Sequence, residues 1–395
     1  MRGRCLVSVK EKMTRQTKHI SRKTISLIGF IGLIGLMSSS CSQEQVVVEP
    51  DEQLSISFSG NLQDEKAMSR ADKGLEEVLN NKTFKVWSYK NTAVSGDDNY
   101  TDYQNVMLGY TVDYETNSGS TSNTHDWEYV GKGTNQDIKY WDFSAKAYRF
   151  FAYALGNGTA SAVTEDDTDV SKVSFTTSVD CSSETTMDAA PYFTKLWFST
   201  DKVNDYGKVV TLKFLKPYAR VRFLFVFNEG LDFGRKELER IKFYPAKPVG
   251  EDDAPTITTA GNVTVIYPLK GTDTKETWST TPTGSIPAFT IDWYETPEPA
   301  VIPEDELPTT YPNTPEKWYY VLPVASQGSY IIEAAIETNE LRTASVPAEY
   351  MTWKAGFEYT YVFRITEGGI LLDVIQVAVN DWETRILKDH TVYNW

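Results

Sequence analysis

At 395 residues, with 41% hydrophobic and 13% aromatic content, the chain is long enough for two ordinary domains with real cores. A formal charge of −15 argues against nucleic acid and anionic lipid as partners, because an acidic surface repels both. Three cysteines are too few for a disulfide framework.

The first 40 residues differ from the rest. Lys and Arg are scattered up to Lys23, ISLIGFIGLIGLM follows at 25–37 without a charge, and Ser38, Ser39 and Ser40 lead into Cys41. A basic start, a short apolar run and small residues at the cut describe an export signal, and the run is too short for a permanent bilayer span. Small residues running into a Cys resemble the lipobox of a bacterial lipoprotein, in which Cys41 becomes the lipidated first residue. Met13 is a more ordinary signal start than Met1. Loss of residues 1–40 removes eight Lys/Arg and one Glu, taking the charge from −15 to −22. It leaves only Cys41 and Cys181, the second read as an inert or partly buried thiol.

Residues 41–53 are polar and acidic apart from Val46, Val47 and Val48 and suit a tether. Beyond them QLSISFSG places Leu54, Ile56 and Phe58 on one side of a strand and serines on the other. Short aromatic and β-branched runs then recur between Gly, Asn, Asp, Ser and Thr clusters. FKVWSY at 84–89, YTVDY at 110–114, WEYV at 127–130, AYRFFAYA at 147–154 and KVSFTT at 172–177 form one set. VVTLKF at 209–214, RVRFLFVF at 220–227, RIKFY at 240–244, VTVIY at 263–267, YYVLPV at 319–324, SYIIEAAI at 329–336, EYTYVFRI at 358–365 and LLDVIQVAV at 371–379 form another. Strands at this density predict an all-β protein of two sandwiches. Only short helices are expected, LEEVLNN at 75–81 and DFGRKELER at 232–240. The polar turn KVNDYG at 202–207 is the expected domain boundary, dividing residues 54–203 from 204–395. Nine of the 17 prolines fall between Pro282 and Pro323, which predicts a surface excursion and not a central strand.

Signals for catalysis are sparse. The histidines are His19, His125 and His390, and no HExxH, CxxC, GxSxG or phosphate-cradling loop occurs, so no catalytic residue, metal site or cofactor is expected. Glu165-Asp166-Asp167-Thr168-Asp169 and Glu251-Asp252-Asp253 lack the ligand order of a calcium loop and read as solvated turns. The ten Trp and 23 Tyr could stack on sugars, but they fit sandwich cores better. Ser69-Arg70-Ala71 is a polar loop with a single Arg.

Several stretches taken together resemble the fimbrillin family, the subunits of Bacteroidales type V pili. They are the lipobox Cys41, the 54–58 alternation, Arg70 ahead of the folded body and KYWDFSAKAYRFFAYALG at 139–156. VVTLKFLKPYARVRFLFVF at 209–227, WYYVLPV at 318–324, WKAGFEYTYVFRI at 353–365 and VIQVAVNDW at 374–382 complete the set in family order. Leu215-Lys216-Pro217 stands where many members carry a His, and WETRILKDHTVYNW extends past the VNDW element.

The resemblance implies two tandem transthyretin-like Greek-key β-sandwich domains, export as an outer-membrane lipoprotein, and assembly with other fimbrial subunits by strand exchange. A protease cut between Arg70 and Ala71 would free residues 54–70, with Leu54, Ile56 and Phe58 as the displaced strand. The donor strand would be the region of Leu371, Val374, Val377 and Val379 or the tail to Trp395. A host or bacterial surface receptor or glycan would be the adhesion target. Burying Leu54, Ile56 and Phe58 in full is worth about 5–9 kcal/mol together, so a vacated groove would be a strong acceptor. Two alternatives are a membrane-anchoring subunit that keeps its lipid and a surface glycan-binding lipoprotein.

Overall fold

The computed structural model describes residues 54–62, 75–93, 95–96, 99–114, 126–156, 162–228, 238–250, 253, 255–291, 301–302, 317–323, 328–336, 340–366 and 369–378. The protein is all-β. In chain order come β1 (Phe58–Leu62), α1 (Leu75–Val78), β2 (Thr83–Asn91), β3 (Tyr103–Tyr114), β4 (Trp127–Glu128), β5 (Ala147–Ala154) and β6 (Val163–Asp166). Next are β7 (Lys172–Asp180), α2 (Glu184–Ala189), β8 (Tyr192–Thr194), β9 (Trp197–Ser199), β10 (Val210–Leu215), β11 (Ala219–Asn228), β12 (Leu238–Pro245), β13 (Ile257–Pro268) and β14 (Thr277–Ile286). The remainder are β15 (Phe289–Ile291), β16 (Val301–Ile302), β17 (Tyr319–Val321), β18 (Tyr330–Ile336), β19 (Glu340–Val346), β20 (Glu358–Thr366) and β21 (Gly369–Ala378).

These strands make four sheets. Sheet I runs β1-β10-β8-β5-β2-β3-β4, with β9 also on β5. Sheet II runs β14-β13-β7-β6, sheet III β16-β11-β20-β21 with β17 on β11, and sheet IV β15-β12-β18-β19. The patterning of each strand explains its place. All eight residues of β5 are buried, as a central strand covered on both faces requires. Its Tyr148, Phe150, Ala152 and Ala154 face one core with Phe84 and Val86 of β2. Phe151 and Tyr153 face another with Trp87 and Tyr89. Sheet I therefore lies between two cores, and Val173, Phe175, Val265 and Tyr267 of sheet II close the second.

Sheets III and IV enclose a third core. Val221, Phe223 and Phe225 of β11 and Tyr359, Tyr361 and Phe363 of β20 meet Phe243, Tyr330 and Ile332 there. Burial leaves Tyr361 a protonated phenol; its hydroxyl accepts from Trp353 Nε1 at 3.0 Å and donates to Tyr350 O at 2.8 Å.

The KVNDYG turn separates β9 from β10, and Asp201 shapes it by accepting from the backbone N–H of Val203 at 3.0 Å and Asn204 at 2.9 Å. The chain beyond this turn supplies strands to sheets I and II as well. β10 pairs with β8 at Phe214 and Thr194, and β13 pairs antiparallel with β7 over nine residues from Ala260↔Asp180 to Pro268↔Lys172.

Two sequence expectations are corrected. The helix at 75–81 is one turn, Leu75–Val78, followed by a 3-10 turn at Asn80–Lys82, because Asn81 takes the left-handed φ of 55°. Residues 238–240 of the expected helix at 232–240 are strand, paired from Leu238↔Ile336 in β12. The proline-rich excursion begins within β14, where Pro282 lies on an edge strand, a place in a sheet that tolerates proline.

Candidate functional site

The site is the seat of β1. This strand ends sheet I and runs parallel to β10 in the register Phe58↔Val210, Ser59↔Thr211, Gly60↔Leu212, Asn61↔Lys213 and Leu62↔Phe214. Val210 N–H donates to Ser57 O at 2.9 Å, and the Ser59 and Thr211 hydroxyls bond at 2.9 Å. Just ahead of β1 the chain also pairs on its other edge. Ser55 bridges antiparallel to Tyr140, Ile56 N–H donates to Lys139 O at 2.7 Å, and Trp141 N–H donates to Leu54 O at 2.9 Å. From Phe58 onward that outer edge pairs with no strand among the described residues.

The alternation read from the sequence places its residues unequally. Ile56 and Phe58 are fully buried, whereas Leu54 stays 42% exposed. Leu54 lies outside the core because it rests over Gly207 at the rim, where φ of +79° keeps the turn open to glycine. The burial expected for three side chains therefore reduces to two, about 3–6 kcal/mol. Phe58 meets three rings nearly edge-on, Phe84 at 6.2 Å, Tyr129 at 5.9 Å and Phe150 at 5.9 Å, the arrangement that aromatic quadrupoles favour. Gly60 is fitted closely as well. A Cβ there would collide with Leu75 Cδ2 of α1 and stand 3.3 Å from Phe214 Cε2.

Polar groups around the seat hold it in register. Tyr129 OH donates to Ile56 O at 3.0 Å and accepts from Lys139 N–H at 3.1 Å. Burial pushes its phenol upward, so it remains a donor. The 139–146 loop that clamps residues 54–56 is fixed by Asp142. Its carboxylate accepts from Lys90 Nζ at 2.7 Å and Ser144 N–H at 2.9 Å, and these bonds hold it down at about 2. Asp142 N–H also donates to the Tyr148 hydroxyl at 2.7 Å.

Immediately after the end of β10, Lys216 caps the end of α2. The ammonium donates to the carbonyls of Met187 at 3.1 Å, Asp188 at 3.0 Å and Ala190 at 2.6 Å, and lies 3.9 Å from the centre of the Tyr192 ring. Burial pulls its pKa down to about 7. Sequence reading found Ile56 and Phe58 but not Tyr129, Asp142 or the capping role of Lys216, whose partners are backbone atoms or lie far away in the chain. The Ser55–Tyr140 spacing of 85 residues had no local signal.

Other predicted residues are placed as follows. Cys41, Arg70, Ala71 and Val379 lie outside the described residues. Leu371, Val374 and Val377 belong to β21, the edge strand of sheet III, whose backbone pairs with β20 at Leu371↔Arg364, Val374↔Val362 and Val377↔Tyr359. The 165–169 acidic cluster is engaged locally. Glu165 accepts from Lys85 at 2.9 Å, Asp166 caps Thr168 and Asp169 caps Ser171. Among the described residues no group of three His, Cys, Asp or Glu could hold a metal ion, and no helix is long and apolar enough to cross a membrane.

No family model and no curated protein matches the chain. Among solved structures it is similar to a fimbrial protein from Bacteroides vulgatus, at 13% identity over 82% of this chain and 99% of that one, with a TM-score of 0.39. It is similar also to a fimbrial assembly protein from Parabacteroides distasonis, at 10% identity over 86% of this chain and all of that one, with a TM-score of 0.34. At this identity and score neither likeness carries an assignment of function.

Proposed function

We propose that the chain is a structural or tip subunit of a cell-surface fimbria that serves adhesion. In this reading it is exported as a lipoprotein through Cys41 and joins like subunits by strand exchange after a cut between Arg70 and Ala71. Residues 54–203 and 204–395 are its two tandem parts, with β10, β13 and β14 of the second part completing the sheets of the first sandwich.

One observation carries the reading: the segment 54–62, whose strand β1 ends sheet I, places two fully buried side chains, Ile56 and Phe58, in a core. An edge strand of this kind can leave without unthreading the sheet, and its departure uncovers both the β10 edge and an apolar slot. A strand from another chain restores the hydrogen bonds and the burial together, which is β-augmentation. A head-to-tail contact of this type repeats into a filament. The connection from β1 to α1 is residues 63–74, and Arg70 lies within it. With the connection uncut, β1 competes for its own seat at the high effective concentration of a short link, and exchange is suppressed.

The test is N-terminal sequencing of the cell-surface form, with Arg70→Ala as control. Assembled fibres whose chains begin at Ala71, and loss of both cleavage and fibres in Arg70→Ala, support the reading. Fibres made only of chains beginning at lipidated Cys41 overturn it.

A further inference from the structure

Exposed apolar side chains gather where β1 enters its seat. Of the eight large hydrophobic side chains exposed among the described residues, Leu54 at 42%, Tyr140 at 43%, Phe143 at 45% and Val203 at 82% belong to this end of sheet I. Single exposed apolar residues are ordinary on a protein surface, but a cluster at the mouth of a groove is a contact surface in waiting. Two loops build it. Phe143 of the 139–146 loop packs against Tyr206 at 6.0 Å, its ring end would stand 3.4 Å from a Cβ at Gly207, and Lys202 Nζ donates to Phe143 O at 2.6 Å. Tyr140, opposite Ser55 across the bridge, shares the face of Ser55, while Leu54 lies on the other face of the strand. When β1 leaves, Leu54 goes with it, while Phe143 and Val203 stay on the folded body.

Chain direction says what covers them. β1 runs parallel to β10, from Leu54 at this mouth toward Leu62. At least 17 residues, 379–395, follow the last described residue of β21. At about 3.3 Å per extended residue they reach about 56 Å, against about 30 Å for the nine residues of the seat, so they can fill it and still span to the body they come from. A strand given from the C-terminal end of another chain leaves that chain's body at the strand's own N-terminal end. Seated in the direction of β1, that end emerges beside Phe143.

Resting on the strand-exchange reading, we infer that Phe143 and Val203 form the docking surface for the body of a second copy of this chain, whose C-terminal segment occupies the vacated seat. The surface then sets which way consecutive subunits face. A strand seated in the opposite sense would bring the partner's body to the Leu62 end and leave Phe143 in water.

The test uses the full chain with Phe143→Asp and Val203→Asp together. Val203 is exposed and Phe143 touches the rim through Tyr206, so the variant chain still folds and is cut at Arg70, while fibre elongation followed by sedimentation and electron microscopy falls at least about tenfold. Val203→Asp alone, at a side chain with no packing partner to lose among the described residues, gives a smaller fall in the same direction with unchanged melting. A chain carrying Phe143→Cys and Val379→Cys gives an interchain ladder with a short bis-maleimide, and one carrying Leu341→Cys and Val379→Cys does not. Elongation at the wild-type rate, or a ladder from the Leu341→Cys chain alone, overturns the docking surface and leaves strand exchange standing. A processed wild-type chain that forms no fibre overturns the strand-exchange reading and this inference with it.

Discussion

Phe58→Ala tests the physical basis of the seat. Phe58 is fully buried among Phe84, Tyr129 and Phe150, and truncating a buried Phe to Ala costs about 3–5 kcal/mol from lost transfer energy and the cavity left behind. Because β1 is the end of sheet I, that loss is expected to appear first as detachment of the strand and only then as unfolding of the sandwich. A cost of about 3–5 kcal/mol raises the open fraction of the seat by about 2 to 3.5 powers of ten. The reporter is the Val210 amide, which donates to Ser57 O at 2.9 Å. Native-state hydrogen exchange should show its protection falling by about that factor. The amide of Val86, in β2 between β5 and β3, exchanges only from more open states and should keep the higher protection of the two in both chains. Equal protection at Val210 and Val86 in the wild-type chain would mean that β1 and the sandwich open as one unit, and a cost below about 1 kcal/mol would mean that the side chain is not supporting the seat; either result refutes the reasoning.

Three further outcomes follow from named contacts. Gly60→Val drives a branched side chain into Leu75 and Phe214 and should cost about 1–3 kcal/mol by overpacking, measured by urea denaturation. Asp142, held at about 2 mainly by Lys90, contributes stability that is present above the ordinary carboxylate value of 3.8 and is lost as pH falls through about 2. Lys90→Met should flatten the acid limb of the stability curve between pH 4 and 2. Burial pushes the Cys181 thiol up to about 12, so an aromatic disulfide reagent at pH 8 should leave it unmodified in the native chain and titrate it fully in denaturant.

Most of the sandwich strands were legible because their partners did not matter to their pattern. AYRFFAYA coincides with β5, and EYTYVFRI lies within β20, since a run of aromatic and β-branched residues is strand-forming wherever it lands. β14 was not legible: TWSTTPTGSI has a Ser/Thr exterior and only Trp278 and Ile286 as large apolar residues, and it is a strand because β13 pairs with it. In the site, the alternation of Ile56 and Phe58 gave the buried face correctly. It failed at Leu54, where the floor of the groove ends at a turn, Gly207, 153 positions along the chain. Tyr129 and Asp142 act through backbone atoms of the 54–56 clamp and its loop, and such partners leave no periodicity to read.

The nine-residue pairing of β7 with β13 has a mechanical meaning. In a chain of independent domains a pull stretches the linker first, and each domain waits its turn. Here residues 172–180 and 257–268 belong to one sheet, so drawing the early part of the chain away from the late part meets a hydrogen-bonded ladder and not a slack connection. Separating β7 from β13 therefore breaks the pairs of that ladder together, and the early and late parts of the chain stay joined until it yields.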